Sequence, residues 1–304
     1  MMRSMTLAAA ALAVLSLSRA SAQGPSVHLN PVVAKLADGK VVYGLMNSGD
    51  LSLANARETA RAPIDFVYAD MEHSPLDFPG LQRFQLGLTD KAAILAKGNL
   101  QPNVALFARF PPEVDQSHWV VKQALDIGLM GVIFNGVSTK DQAVAAVRMM
   151  RYPPMKGSTR PEPVGIRGFG PAAASWAWGL SLVDYERRAD VWPLNPEGDL
   201  LAIPMVESVD GLKNVDEIAS VPGVGALFLG GREDLARSMG VRSDSPEVEA
   251  AVQQVLRACK SRKVACGVSA LNGADVARRV KEGWNLVRTT LPALAEGRAL
   301  MGER

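Results

Sequence analysis

Eight short apolar runs, separated by helical patterns, constrain the fold of this sequence more than any other feature. The runs are rich in β-branched residues and bounded by turn-forming residues, which is typical of buried parallel strands. We predict strands at Val41–Met46, Asp65–Asp70, Val104–Arg109, Gly131–Asn135, Leu201–Glu207, Ala226–Gly230, Val264–Ser269 and Leu286–Thr289. Strand–helix units repeated in this way predict a single α/β domain, a (β/α)8 TIM barrel. A doubly wound open sheet is the alternative, but no GxGxxG motif follows the first run.

The first residues predict export. A 12-residue, mostly apolar run at Thr6–Leu17 precedes Ala20-Ser21-Ala22, which matches an A-x-A cleavage site. We therefore expect residues 1–22 to be a signal peptide and residues 23–304 to form the barrel domain. A retained membrane anchor or a wrongly assigned start codon is the alternative. The prediction is a periplasmic or secreted protein, without stable membrane insertion after cleavage.

Charge and cysteine content narrow the possible partners. Lys and Arg number 33 and Asp and Glu 31, with no basic stripe, so we expect no nucleic-acid partner. The two cysteines, Cys259 and Cys266, either pair in an oxidising compartment or stay as two buried thiols. Neither belongs to a CxxC motif or lies beside a histidine, so we assign them no catalytic role.

Polar side chains collect where the predicted strands end. In a barrel the active site forms at the carboxyl ends of the strands, so we expect these side chains to meet. They are Asn47, Asp70, Glu72, His73, Arg109, Asn135, Glu207 and the run Gly230–Asp234. No lysine lies among them, which argues against chemistry through a Schiff base.

His73 is a candidate general base, because histidine titrates near neutral pH and this one lies between carboxylates. The alternative is a histidine with a purely structural role, paired with Asp70. The guanidinium of Arg109 is expected inside the barrel mouth, where its planar fork suits a carboxylate or an enolate oxygen.

Glu207 and Asp234 follow neighbouring strands and are candidate ligands of one divalent cation, since hard cations prefer oxygen donors. Alternatives remain for both, namely a salt bridge from Glu207 to Arg109 and a helix N-cap at Asp234. The backbone amides of the turn at Gly230 and Gly231 are candidates for holding a substrate carboxylate.

Several motifs resemble the HpcH/HpaI aldolase/citrate lyase family, whose members are class II, metal-dependent aldolases acting on 2-oxo acids. The resemblance covers about Val41 to Met301. Its motifs are DFVYADMEHSP, ALFARFP, RYPP followed by GIRGFGP, and MVES followed by GLKNVDEIASVPGVGALFLGGREDLARSMG.

The resemblance implies an enzyme that cleaves or forms a carbon–carbon bond of a 4-hydroxy-2-oxo acid through a pyruvate enolate, with a 2-oxo acid and an aldehyde as partners. It implies a divalent cofactor, Mg²⁺, Mn²⁺ or Co²⁺, and a homo-oligomer. The implied roles are His73 as base, Arg109 polarising the pyruvate carbonyl, Glu207 and Asp234 as metal ligands, Asp70 hydrogen-bonding near His73, and Asp126 serving a neighbouring subunit's site. A citrate-lyase-type acyl-CoA lyase and a non-catalytic exported 2-oxo-acid-binding protein are the alternatives.

The sequence also departs from the family pattern. The departures are Met205, Asn135-Gly136, the longer turn GGREDL, Arg288-Thr289-Thr290 at the last strand, and an inserted stretch around Met155–Pro163. The proline-rich segment Tyr152–Asp199 reads as one long irregular loop, which is usually functional or a lid. Its tryptophans are expected to pack on the barrel, on a neighbouring subunit, or over the site.

Overall fold

The computed structural model describes residues 28–158 and 160–303. The expected signal peptide, residues 1–22, and the first residues of the expected domain, 23–27, lie outside the described residues. In the part of the chain that is described, no helix is both long and apolar enough to span a bilayer.

The core is a parallel sheet of eight strands in the order β5-β4-β3-β2-β1-β8-β7-β6. The strands are β1 Val42–Asn47, β2 Phe66–Asp70, β3 Ala105–Phe110, β4 Gly131–Phe134, β5 Leu201–Pro204, β6 Ala226–Leu229, β7 Ala265–Ser269 and β8 Leu286–Arg288. β5 and β6 meet through isolated parallel bridges, Ala202 with Val224 and Met205 with Phe228, rather than through a continuous ladder. We call this junction the β5–β6 seam. It closes the sheet, so the predicted TIM barrel is confirmed and the open doubly wound sheet is wrong.

Helices surround the sheet and connect its strands. They are α1 Pro31–Ala37, α2 Leu53–Thr59, α3 Phe78–Gly87, α4 Lys91–Lys97, α5 His118–Asp126, α6 Lys140–Met150, α7 Ala172–Trp178, α8 Leu182–Arg188, α9 Val209–Lys213, α10 Val215–Ala219, α11 Arg232–Met239, α12 Pro246–Arg262, α13 Gly273–Glu282 and α14 Leu291–Met301. Many begin at a side chain that caps a free backbone N–H group. In α6, Thr139 and Gln142 form a reciprocal capping box, a device that stabilises a helix by about 1 kcal/mol.

Aromatic rings fill the barrel interior. Phe66 stacks on Phe107 at 5.4 Å, and Tyr68 meets the edge of Phe228 at 6.5 Å. A Cβ atom at Gly44 would overlap the ring of Phe66, so that strand β1 needs glycine at this position. The interior is therefore a packed core, and a ligand has room only at its carboxyl-end mouth.

The two cysteines are paired. Cys259 near the end of α12 and Cys266 in β7 form a disulfide with a Cα–Cα distance of 5.8 Å. Of the two possibilities that the sequence left open, the disulfide is the one found.

The segment Tyr152–Asp199 is not one irregular loop, because it contains α7 and α8. Trp178 packs on the barrel and donates its indole N–H to the carbonyl of Gly128 at 2.8 Å. Trp176 is 72% exposed and lines a cavity of about 400 Å³ beside Val104, just before β3. Because this is the amino end of the strands, these two tryptophans do not cover the site of their own chain.

Candidate active site

Arg109 is fixed by carboxylates from the neighbouring strand. The register of β2 and β3 places Asp70 opposite Arg109. The Nε and Nη2 atoms of Arg109 donate to the two oxygens of Asp70 at 3.0 and 2.7 Å, and its Nη1 lies 2.9 Å from Glu72. Burial disfavours its charge, but the hydrogen bonds to Asp70 and the nearby negative charges outweigh burial and raise the pKa of Arg109. The mouth thus contains a permanently charged, immobilised guanidinium.

Arg109 is a partner of Asp70 that the sequence did not predict. Both oxygens of Asp70 accept hydrogen bonds from Arg109, and Oδ1 also accepts one from the backbone N–H of Glu72, next to His73, at 3.3 Å. The cause is the strand register, because His73 lies beyond the end of β2 while Arg109 lies directly across from Asp70. Asp70 therefore positions Arg109.

Glu72 was among the strand-end side chains expected to meet at the site, but the sequence assigned it no role. Its Oε2 atom lies 3.3 Å from Nε2 of His73, whose side chain is 66% exposed. The same carboxylate also contacts Arg109, so it joins the imidazole to the guanidinium. Burial raises the pKa of Glu72, although the positive charges of Arg109 and His73 oppose this effect. The signal available in the sequence was its place in the turn after β2.

Glu207 lies just beyond β5, and its Oε1 atom accepts a hydrogen bond from the backbone N–H of Gly136 at 2.8 Å. Burial raises its pKa from 4.5 to about 7, and the negative charge of Glu72 adds to this increase. The salt bridge to Arg109 suggested as an alternative is not found. Among the described residues, the carboxylates within 4.0 Å of Arg109 are those of Asp70 and Glu72.

Gly136 belongs to the site, although the sequence singled it out only as a departure from the family pattern. It follows β4 with a φ of +65°, which is accessible to glycine at little cost. Its neighbour Asn135 donates to the carbonyl of Phe110 at 2.7 Å and anchors the turn. The departure Asn135-Gly136 therefore forms the turn whose N–H group holds Glu207.

The turn after β6 brings Asp234 to the same mouth. Gly231 occupies the N-cap of α11 and Asp234 lies in the first helical turn, so the N-cap alternative for Asp234 is wrong. The turn lies close to the end of β5, because a Cβ atom at Gly230 would be only 2.6 Å from the sulfur of Met205. Glycine permits this close approach. Asp234 follows β6 and Glu207 follows β5, on the other side of the β5–β6 seam, and the negative charge of the exposed Asp234 carboxylate raises the pKa of Glu207.

The donor set fits a divalent cation. Glu72, Glu207 and Asp234 repel one another electrostatically, and a hard cation between them would relieve that repulsion. Within residues 28–158 and 160–303, no three or more His, Cys, Asp or Glu side chains converge as a complete ligand set. A cation bound by Glu207 and Asp234 would therefore complete its coordination with water and substrate oxygens.

Asp126 does not lie with the other site residues. It ends α5, on the outer layer, where it contacts Lys122 and accepts a hydrogen bond from Arg167 at 3.1 Å. Its expected role in the site of a neighbouring subunit stays a prediction.

Comparison with known proteins agrees with this geometry. The family model described as HpcH/HpaI aldolase/citrate lyase matches residues 49–290. The chain is 29% identical over 264 residues to a hydroxypyruvate/pyruvate aldolase of Paraburkholderia phytofirmans, covering 86% of this chain and 91% of that protein. It is 31% identical over 259 residues to one of Pseudomonas aeruginosa, covering 84% and 83%.

A solved structure of the same family is also similar to this chain. A HpcH/HpaI aldolase/citrate lyase family protein from Burkholderia cenocepacia superposes with a TM-score of 0.69 at 29% identity, covering 90% of this chain and 98% of that one. The family is characterised by dependence on a divalent metal ion. The chain therefore belongs to the HpcH/HpaI aldolase/citrate lyase family and is an enzyme of the carbon–carbon lyase class.

Proposed function

We propose that this enzyme is a class II aldolase that cleaves or forms the C3–C4 bond of a 4-hydroxy-2-oxo acid, with pyruvate or a close 2-oxo acid and an aldehyde as partners. The observation that carries the proposal is that one barrel mouth holds both the immobilised guanidinium of Arg109 and the mutually repelling carboxylates of Glu207 and Asp234. The names of the relatives, hydroxypyruvate/pyruvate aldolases, support the same reaction.

Each of these residues has a separate role in the cleavage reaction. His73 accepts the proton of the C4 hydroxyl, and Glu72, whose Oε2 atom lies 3.3 Å from Nε2 of His73, orients the imidazole. The C3–C4 bond breaks and the aldehyde leaves. The electron pair of that bond passes into the 2-oxo group and gives the enolate of pyruvate. Arg109 donates to that oxygen, and such preorganised electrostatic stabilisation is usually the largest contribution to catalysis. Protonation at C3 then gives pyruvate.

Two further groups hold the substrate. The backbone N–H groups at the start of α11, just after Gly230, are not capped by a side chain, and a helix N-terminus of this kind suits the 1-carboxylate. Mg²⁺, Mn²⁺ or Co²⁺ held by Glu207 and Asp234 would supply Lewis-acid polarisation of the 2-oxo group.

The test compares aldol cleavage by four proteins at several Mn²⁺ concentrations and in EDTA. Glu207→Gln and Asp234→Asn are expected to lose activity at low Mn²⁺, whereas the wild type and a surface control, Glu58→Gln in α2, keep it. Full activity of the wild type in EDTA, or of either site variant at low Mn²⁺, would contradict the two-carboxylate site.

We also propose export and self-association. The N-terminal pattern and the disulfide both suit an oxidising compartment. Mass spectrometry of the exported protein should find Gln23 as the first residue, and an intact Met1 would contradict export. Light scattering should give a homo-oligomer, whose assembly brings Asp126 to a neighbouring site. A monomer with full activity would contradict that role.

A further inference from the structure

Arg288 is a second arginine in the barrel interior, and the mechanism above does not use it. It ends β8, so it lies at the carboxyl end of the barrel with the other site residues. Its partner in the register of β1 is Gly44, whose Cβ position points at the ring of Phe66 inside the barrel. Since residues paired in a parallel ladder point to the same face, Arg288 also points inward. Its Nη2 atom lies 3.5 Å from the sulfur of Met46.

Arg288 differs from Arg109 in its partners. Arg109 has two carboxylates, whereas no carboxylate in the described part of the chain lies within 4.0 Å of the Arg288 guanidinium. The Nε atom of Arg288 is buried and has no hydrogen-bond partner among the described residues. A buried donor without a partner costs free energy, and so does a positive charge that is partly removed from water. An anionic ligand that enters the mouth would remove both costs.

Both arginines lie close enough to the phenol ring of Tyr68 for their charges to lower its pKa. The guanidinium carbon of Arg109 lies 5.9 Å from the centre of the Tyr68 ring. Burial raises the pKa of Tyr68, and the positive charges of Arg288 and then of Arg109 oppose that increase. Two guanidiniums therefore approach the floor of the mouth, from β3 and from β8, while the acidic groups of the site follow β2, β5 and β6. This charge arrangement favours a substrate with more than one anionic group.

We propose that Arg288 binds a second carboxylate of the substrate, so that the enzyme acts on 2-oxo dicarboxylates. The inference rests on the proposed function, in which the 1-carboxylate is held at the turn that follows β6, at the start of α11. A carboxylate suits the site because the planar guanidinium presents paired donors to its two oxygens. Arg288 is then a specificity-determining residue that is not needed for the chemistry at C3 and C4.

The test uses two acids of equal length, 2-oxoglutarate and 2-oxopentanoate, which differ only in a terminal carboxylate or methyl group. Calorimetric titration in Mn²⁺ should show at least tenfold tighter binding of 2-oxoglutarate to the wild type. Arg288→Met should abolish this preference, and Arg288→Lys should keep part of it. Arg298→Met is the matched control, because Arg298 is likewise an arginine close to a tyrosine, with its guanidinium carbon 5.1 Å from the Tyr43 ring centre, but it lies on α14 outside the mouth.

The outcomes separate the two proposals. Equal affinity of the wild type for both acids, including no binding of either, would overturn the role of Arg288. So would a preference that persists in Arg288→Met, or an equal loss of affinity for both acids, which would place Arg288 on the shared 1-carboxylate. Because binding needs no turnover, a normal preference in an enzyme that lacks aldolase activity would refute the proposed function alone.

Discussion

Replacing Glu207 with glutamine is expected to stabilise the metal-free protein at neutral pH while removing its affinity for Mn²⁺. The folded structure raises the pKa of Glu207 from 4.5 to about 7, first through burial and then through the charge of Glu72. Between these two pH values the folded protein binds more protons than the unfolded chain, so stability falls as the pH rises through this window. Glutamine is neutral throughout and keeps an oxygen for the N–H of Gly136.

The magnitude follows from the pKa difference. Each pKa unit corresponds to about 1.4 kcal/mol, so a pKa that rises from 4.5 to about 7 gives an upper limit of about 3.5 kcal/mol. The realised effect is smaller, because the side chain is only partly buried and water screens part of the repulsion. The free-energy advantage of Glu207→Gln should therefore be near zero at pH 4.5, rise through pH 6, and level off by pH 8.

Urea unfolding in EDTA at several pH values measures this difference, with Glu58→Gln as the control for an exposed glutamate. Addition of Mn²⁺ at a hundred times its dissociation constant should then stabilise the wild type by about 2.7 kcal/mol and leave Glu207→Gln unchanged. Parallel pH curves for the wild type and Glu207→Gln in EDTA, or a Glu207→Gln protein that is less stable at pH 8, would refute the reasoning.

Three other substitutions test separate parts of the structure. Gly136→Ala should cost about 1 kcal/mol of stability, because its φ is +65°, and should weaken Mn²⁺ binding about tenfold in a calorimetric titration by moving the N–H that holds the site glutamate. Unchanged Mn²⁺ affinity would exclude this positioning role. Asp70→Asn should lower kcat about a hundredfold through loss of the ion pair that fixes Arg109, with a smaller effect on melting temperature, and normal kcat would contradict the assignment. The double variant Cys259→Ser and Cys266→Ser should lose about 2 kcal/mol in urea unfolding, whereas equal stability with and without reductant in the wild type would argue against the bond.

The barrel could be predicted from the sequence because parallel strands buried on both faces have a distinct apolar signature. The prediction of helices failed where a charged side chain is buried in the structure. Helix α13 is not predicted, since its buried face includes Arg279, which is compensated by hydrogen bonds to Glu249 and Glu282. The bond to Glu249 spans 30 residues of sequence, so an arginine that is neutralised in this way looks like a surface residue in the sequence alone.

The sequence predicted most residues of the candidate site, but it did not predict which of them contact one another. Asp70 and Arg109 could be selected as strand-end residues, but only the register of β2 and β3 shows that they pair. Gly136 acts through a backbone N–H group, which leaves no side-chain signal. The segment Tyr152–Asp199 was misread because its prolines concealed α7 and α8, each only seven residues long.

The β5–β6 seam gives the barrel a preferred place to open. Its backbone bonds are few, and they include the amide of Gly225 to Ala202 and that of Val206 to Phe228, each at 3.0 Å. Local opening there breaks less structure than opening between β2 and β3, so these amides should exchange with deuterium sooner than those of the central strands. Because Glu207 and Asp234 follow opposite sides of the seam, a cation bound to both would slow exchange at Gly225 and Val206 and leave β2 unaffected. Slower deuterium exchange at the β5–β6 seam alone would then report that the cation is bound.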